Sequence, residues 1–190
     1  MQFSAILTSF ALAGALVSTP FSNSLAQGRD NSHTVETILD MAQAYKVHDR
    51  KRLTALLPQA SGSTLEPWAA YWELSARMGE AGSTEIQDFL ARYSGSYQED
   101  KLRNEWLHML GRNRDWQAFN REYPKYRMND DKSVRCYALL ADHLSSGADV
   151  TAAVTEAWLS LKDADEGCAA AAEQLIKDRS TQVHPAWLRA

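Results

Sequence analysis

The feature that most constrains the fold is a series of short amphipathic segments whose apolar residues recur at helical spacing. Leu53, Ile86 and Trp116 each begin a similar apolar stripe, and successive stripes begin 33 and then 30 residues apart. After residue 30 the sequence lacks the strict alternation of apolar and polar residues that marks strands. A period of about 30–34 residues with two helices per unit is typical of helical-repeat arrays. Because one such hairpin has too little apolar surface to be stable alone, the sequence predicts an all-α fold, an irregular α-superhelix of stacked helical hairpins.

Proline, glycine and capping residues predict where these helices begin and end. Pro67 suits the first turn of a helix, where its missing N–H has no cost. Pro58 is expected to end the preceding helix. Residues 84–87 match a capping box, and Gly111 and Gly147 are expected to follow helix ends. These signals divide the chain into short helices joined by short loops.

The composition is that of a folded domain. Of the 190 residues, 45% are hydrophobic and 23% are charged, which are globular rather than disordered values. This length favours a single domain. The formal net charge is −4, and no basic stripe stands out in the sequence. Nucleic acid and anionic membrane surfaces are therefore not expected as partners.

The N-terminal segment has the pattern of a cleaved export signal. Residues 3–21 carry no charge, and the small-x-small sequence S-L-A at 24–26 precedes the first charges at Arg29 and Asp30. A membrane anchor is the alternative interpretation, but Gly14 and Pro20 interrupt the apolar run, and a stable span needs about 20 strongly apolar residues. We expect a signal peptide at residues 1–26, a linker at 27–32 and an α-superhelical domain at 33–190.

Export makes the two cysteines interpretable. Cys136 and Cys168 form an even count, so a disulfide between them is expected in an oxidising compartment. The alternative is that both are buried free thiols that pack as small hydrophobic residues. A bridge across 32 positions would stabilise the fold by roughly 3–4 kcal/mol in the chain-entropy description.

Few groups in the sequence are arranged for catalysis or metal binding. The five histidines form neither an H-E-x-x-H motif nor an i, i+4 pair, and the two cysteines lack CxxC spacing, so no metal or cofactor is expected. Nucleophile-elbow, Walker A and dinucleotide-binding motifs are missing as well. Glu73 and Glu105 each adjoin a tryptophan and could act as a general acid in glycoside cleavage. We expect instead that both lie on the surface beside core tryptophans, because glutamate is mostly solvated.

An ordered set of motifs resembles the soluble lytic murein transglycosylases. Residues 67–74 are similar to the family's P-x-x-x-Y-x-E-L stretch, and residues 86–93 read I-x-x-F-L-x-x-Y. Residues 102–119 carry W-L-x-x-L-G-R-x-x-D-W-x-x-F, and the segments 136–139 and 157–160 continue the likeness in order. Cys168 falls where the family often has its second cysteine. The likeness covers roughly residues 33–190.

The resemblance implies a non-catalytic role for this chain. In the family, this region is the N-terminal superhelical domain of a periplasmic enzyme, and it forms part of a ring around which murein strands are handled. The complete enzymes cleave the β-1,4 bond between N-acetylmuramic acid and N-acetylglucosamine to a 1,6-anhydro product, using one glutamate in a lysozyme-like C-terminal domain. The Glu-Ser and G-L-M-Q motifs of that domain do not occur here. The expected partners are therefore peptidoglycan strands or the missing catalytic domain, and the chain is interpreted as truncated after residue 190.

Two alternatives remain open at the level of sequence. The chain could be a free-standing exported helical-repeat scaffold that binds a protein or peptide on its concave surface. It could also be an enzyme with a site of its own, built on Glu73 or Glu105.

Overall fold

The computed structural model describes residues 23–178, with side chains from residue 33 onward, and this part of the chain is all-helical. Within it we find no strand, which confirms the all-α prediction. The helices are α1 (Asn23–Lys46), α2 (Arg50–Ala60), α3 (Glu66–Ala76), α4 (Ser83–Arg92), α5 (Tyr97–Arg112), α6 (Trp116–Glu122), α7 (Lys132–Ser146), α8 (Thr151–Leu159) and α9 (Glu166–Lys177), with a 3-10 turn at Tyr123–Lys125 after α6. Most of the expected signal peptide lies outside the described residues, and residues 27–32, expected as a linker, belong to α1.

Side-chain caps explain why several helices begin where they do. The helices α2, α5, α6, α7 and α9 each follow a residue whose side-chain oxygen accepts a hydrogen bond from a backbone N–H in the first turn. These residues are Asp49, Ser96, Asp115, Asp131 and Asp165, at donor–acceptor distances of 2.9–3.1 Å. Each cap satisfies a backbone donor that would otherwise lack a partner at the helix start.

The predicted boundaries at Pro67 and Gly147 agree with the structure. Pro67 lies in the first turn of α3. Gly147 follows α7 with a φ of 71°, in the left-handed region that glycine adopts without steric cost. Its N–H donates to the carbonyl of His143 and closes the helix.

Two predicted boundaries are wrong because tertiary contacts override the local signal. Pro58 lies inside α2, which continues to Ala60. Ala60 is fully buried in the cluster that includes Met41 and Leu53, so packing favours two more helical residues after Pro58. Gly111 lies inside α5 rather than after it. The ring of Tyr137 packs against it where a Cβ would lie, so glycine provides space here and does not end the helix.

The predicted capping box at residues 84–87 is also wrong. Helix α4 begins at Ser83 with Gly82 as its N-cap, and no side chain caps it. The nearby Glu85 carboxylate instead accepts hydrogen bonds from the guanidinium of Arg77, one of them at 2.9 Å. Glu85 thus links the start of α4 to the end of α3 and does not cap a backbone N–H.

The helices contact one another in a regular order. Each odd-numbered helix contacts the next odd-numbered one: α1 with α3, α3 with α5, α5 with α7, and α7 with α9. The helices α2, α6 and α8 each pack against both odd-numbered neighbours, and α4 packs against α5. The largest side chains in the central core come from successive odd helices: Tyr71 on α3, Trp106 on α5 and Tyr137 on α7. Among the described residues, no helix combines the length and the apolar character that crossing a membrane would require.

Candidate functional site

The predicted cysteine pair lies between α7 and α9. Cys136 and Cys168 are both fully buried, and they lie at disulfide distance with their Cα atoms 4.8 Å apart. Beside them the N–H of Gly167 donates to Ser133 Oγ at 2.9 Å. The two helices are therefore tied together at one buried point, which gives the cysteines a structural role.

Glu73 is buried, which corrects the expectation that it lies on the surface. Its side chain is only 4% exposed. One carboxylate oxygen accepts hydrogen bonds from Thr54 Oγ1 at 2.8 Å and from Arg77 Nε at 2.7 Å. An ion pair and a hydroxyl thus satisfy the charge, as burial of a carboxylate requires. In this position Glu73 is not accessible to a ligand.

Glu105 also differs from the expected surface residue. Its carboxylate is partly buried and accepts hydrogen bonds from Tyr71 OH and from Ser75 Oγ, the latter at 2.5 Å. Tyr45 OH lies 3.4 Å from Tyr71 OH and 3.2 Å from Ser75 Oγ, so hydroxyl groups from α1 and α3 converge beside this carboxylate. Burial, followed by the hydrogen bond to Glu105, raises the pKa of Tyr71 far above its ordinary value. Tyr71 therefore remains the donor.

Glu105 lies on the wall of a cavity that we name the Glu105 pocket. The cavity has a volume of about 640 Å³ and lies between the end of α3 and the second half of α5. Its lining combines two methionines with several polar groups: Ser75, Ala76, Met78, Gly79, Glu105, His108, Met109, Arg112 and Asn113.

His108 is held in place in this pocket by the cap of α7. Its Nε2 donates to Asp131 Oδ2 at 2.9 Å. Burial raises the pKa of Asp131, but the hydrogen bonds from His108 and from the Val134 N–H outweigh burial and hold that pKa at about 2. Asp131 is therefore a carboxylate at neutral pH that orients His108 and caps a helix at once.

A second cavity, which we name the α6–α8 groove, has a volume of about 700 Å³. It lies among α6, α7 and α8, and its lining is rich in amide, hydroxyl and charged side chains. The lining residues are Asn120, Tyr123, Pro124, Asn129, Lys132, Arg135, Ala138, Leu139, Asp142, Ser145, Ala153, Glu156, Ala157 and Ser160. Lys132 Nζ is already engaged, since it donates to the carbonyl of Ser160 at 3.0 Å.

Neither cavity offers a metal centre. Between residues 33 and 178, no group of three or more histidine, cysteine, aspartate or glutamate side chains is placed to hold a metal ion. The chemistry available in both cavities is hydrogen bonding and charge pairing with a ligand, together with apolar contact.

The Glu105 cluster was missed at the level of sequence, although a signal for it exists. Tyr71 precedes Glu105 by 34 residues, and Ser75 precedes it by 30. Tyr45 precedes Ser75 by 30 residues. These separations equal the repeat period, so aligning polar residues by that period would have placed these four side chains on successive odd-numbered helices.

Comparison with known proteins gave no assignment: no protein-family model, curated protein or solved structure matches this chain.

Proposed function

We propose that the chain is an exported, non-catalytic superhelical module of the lytic murein transglycosylase type, which binds murein strands beside a lysozyme-like catalytic domain. The observation that carries this proposal is the order of helix contacts, in which each odd-numbered helix packs on the next. Contacts of that order are typical of stacked helical hairpins, in which neighbouring units pack together; here α5 also reaches α9. They support the superhelical arrangement that the repeat period predicts.

The environments of the two candidate glutamates support a non-catalytic role. A general acid must reach the oxygen that it protonates, within about 2.6–3.2 Å or through one water. Glu73 is buried and paired with Arg77. Both carboxylate oxygens of Glu105 already accept hydrogen bonds from the hydroxyls of Tyr71 and Ser75. Glu73 is therefore not presented to a glycosidic bond, and the Glu105 carboxylate already holds two hydroxyl donors.

The cysteine pair supports export. Disulfides persist in oxidising compartments such as the periplasm and are rare in the cytosol. Cys136 and Cys168 lie at bonding distance between two helices that pack tightly against each other. Together with the signal-like residues 1–26, this pair is what a periplasmic protein would carry.

The α6–α8 groove is the proposed contact surface for murein. Glycan strands with peptide stems present hydroxyl, amide and carboxylate groups, which amide and guanidinium side chains recognise by hydrogen bonds. Asn120 on α6 and Arg135 on α7 are exposed and line the groove from two different helices. Within residues 33–178, the Arg135 guanidinium forms no ion pair, so it is available to an anionic group of a ligand.

Two measurements on the purified mature chain test the proposal. We expect the chain to sediment with isolated sacculi, and we expect chromatography of the supernatant to show no 1,6-anhydromuropeptides. The double variant Asn120→Ala with Arg135→Ala should reduce sedimentation, whereas Gln117→Ala with Arg121→Ala, at exposed positions of α6 outside the groove, should not. Release of anhydro products, or sedimentation that both double variants leave unchanged, would contradict the proposal.

The charge pattern of the groove favours a second candidate function. Arg135 lies in the same groove as Asp142 and Glu156, so both signs of charge face one cavity. Such a lining also fits a protein or peptide partner of an exported scaffold. A photo-crosslinking residue placed at position 135 would distinguish the two, because a scaffold would be captured on an exported protein and would not sediment with sacculi.

A further inference from the structure

We propose that the Glu105 pocket binds a short peptide through its free amino and carboxyl ends, with Glu105 holding the ammonium group and Arg112 the carboxylate. This pocket shares no lining residue with the α6–α8 groove. The inference therefore goes beyond the proposed function and does not depend on it.

The ammonium end is argued from the state of Glu105. Its carboxylate is partly buried, and within residues 33–178 no cationic side chain forms an ion pair with it. Lys101, one turn earlier on α5, lies over the ring of Tyr71 instead. An ionised carboxylate offers about four acceptor positions, of which Tyr71 and Ser75 fill two. A partly buried charge without a counter-ion is costly, and an ammonium group from a ligand would both neutralise it and use the remaining positions.

The carboxylate end is argued from Arg112. Its side chain is half-exposed, and its only ion pair among the described residues is a 3.7 Å contact with Glu166, which is itself exposed. An exposed pair at that distance contributes little, so the guanidinium is free to bind a ligand. A guanidinium binds a carboxylate through two parallel hydrogen bonds, which fixes the orientation of the bound group.

The spacing of the two charges sets the length of the ligand. Glu105 and Arg112 are seven residues apart on α5, which corresponds to about 10 Å along the helix axis. An extended peptide covers about 3.3–3.6 Å per residue, so a di- or tripeptide bridges the two groups. The same pocket is lined by Met78 and Met109, whose unbranched side chains adapt to different ligand side chains. Asn113 and the oriented His108 are placed to hydrogen-bond a peptide backbone.

The test is a titration of the complete mature chain with trialanine, followed through methionine methyl signals in NMR spectra. We expect the signals of Met78 and Met109 to shift in a saturable way, while Met41, buried in the cluster of α1 and α2, stays unchanged. N-acetyl-trialanine lacks the ammonium group and trialanine amide lacks the carboxylate, so each should bind about tenfold more weakly or worse.

Two variants locate the charges on the protein. Glu105→Gln should weaken trialanine binding by about tenfold. It should leave the weak binding of N-acetyl-trialanine unchanged, because that peptide has no ammonium group and does not form the interaction that the variant removes. Arg112→Gln should act in the same way toward trialanine amide. The exposed positions Glu173→Gln on α9 and Arg121→Gln on α6 serve as matched controls.

The ligand series keeps the proposal falsifiable even if a variant folds poorly, because all three peptides are compared on the unchanged protein. Equal affinity for the three peptides would overturn it. Absence of saturable shifts at Met78 and Met109 with trialanine would overturn it as well.

Discussion

Helix α9 packs closely against α7 at Gly167, and we predict that Gly167→Ala destabilises the fold. Gly167 is buried in the first turn of α9, and its N–H donates to Ser133 Oγ at 2.9 Å. A Cβ added there would overlap the carbonyl group of Ser133 and would lie 2.6 Å from its Oγ. A backbone carbonyl inside a helix cannot rotate away, and the disulfide at Cys168 prevents the helices from separating freely. The overlap must therefore be relieved by a shift of packed elements.

The magnitude follows from three contributions. Forcing an extra carbon into a packed interface costs about 1–3 kcal/mol. A shift that weakens the hydrogen bond to Ser133 adds roughly 1 kcal/mol. Alanine is favoured over glycine by at most about 1 kcal/mol in a helix interior, and Gly167 lies in the first turn, where the gain is smaller. We expect a net loss of about 2–3 kcal/mol in the free energy of unfolding, which lowers Tm by roughly 4–12 °C.

Urea denaturation followed by far-UV circular dichroism, with the disulfide oxidised, measures this loss. The matched control is Gly79→Ala, because a Cβ at Gly79 meets no atom within 4 Å. Its free energy of unfolding should stay within about 0.5 kcal/mol of the wild-type value. If Gly167→Ala and Gly79→Ala have the same midpoint and slope, α7 and α9 have room for a methyl group and the reasoning is refuted.

Three further predictions concern the disulfide, the buried charges of α5 and the cap of α7. Reducing the disulfide, which spans 32 positions, should lower the free energy of unfolding by roughly 3–4 kcal/mol. Urea titrations with reductant, compared with titrations without it, measure this loss. Arg103→Met removes the buried cation that Glu99 and Glu122 share and leaves each carboxylate with one exposed partner, Arg127 and Lys125, so it should cost about 3 kcal/mol. A loss below about 1 kcal/mol would show that the exposed partners alone compensate both charges. Because the pKa of Asp131 is lowered from 3.8 to about 2, its contribution is complete above about pH 4 and is lost as the pH falls toward 2. Asp131→Asn keeps a capping residue but should remove that part of the acid dependence of Tm, and an unchanged profile would contradict the assignment.

The fold class could be predicted because its signals are local. Apolar stripes at helical spacing, proline in a first turn and glycine after a last turn act within a few residues of one another, so Pro67 and Gly147 mark boundaries that the structure also has. The boundaries predicted from Pro58 and Gly111 are wrong because the deciding contacts there are not local. What decides the conformation there is the burial of Ala60 and the ring of Tyr137, and both depend on which helices pack together.

The candidate site could not be predicted from local pattern. Solvation is the usual state of a glutamate, and the chain neighbours of Glu73 and Glu105 give no sign of burial. Their environments come from residues on other helices: Thr54 on α2 reaches Glu73, and Tyr71 on α3 reaches Glu105. Only the repeat period carries information about such pairs, because it states which residues of successive units share a face.

Helix α5 links the two cavities through different halves of its length. It packs against five other helices, α3, α4, α6, α7 and α9. In its first half, the buried Asp100 carboxylate accepts hydrogen bonds from the backbone N–H groups of Arg127 at 2.9 Å and Met128 at 2.7 Å. Those bonds fix the connection from α6 to α7, whose next residue, Asn129, lines the α6–α8 groove. The second half of α5 carries Glu105 and Arg112. Changes near Asp100 therefore act on the groove, changes beyond Glu105 act on the pocket, and the effects of the two can be separated within one helix.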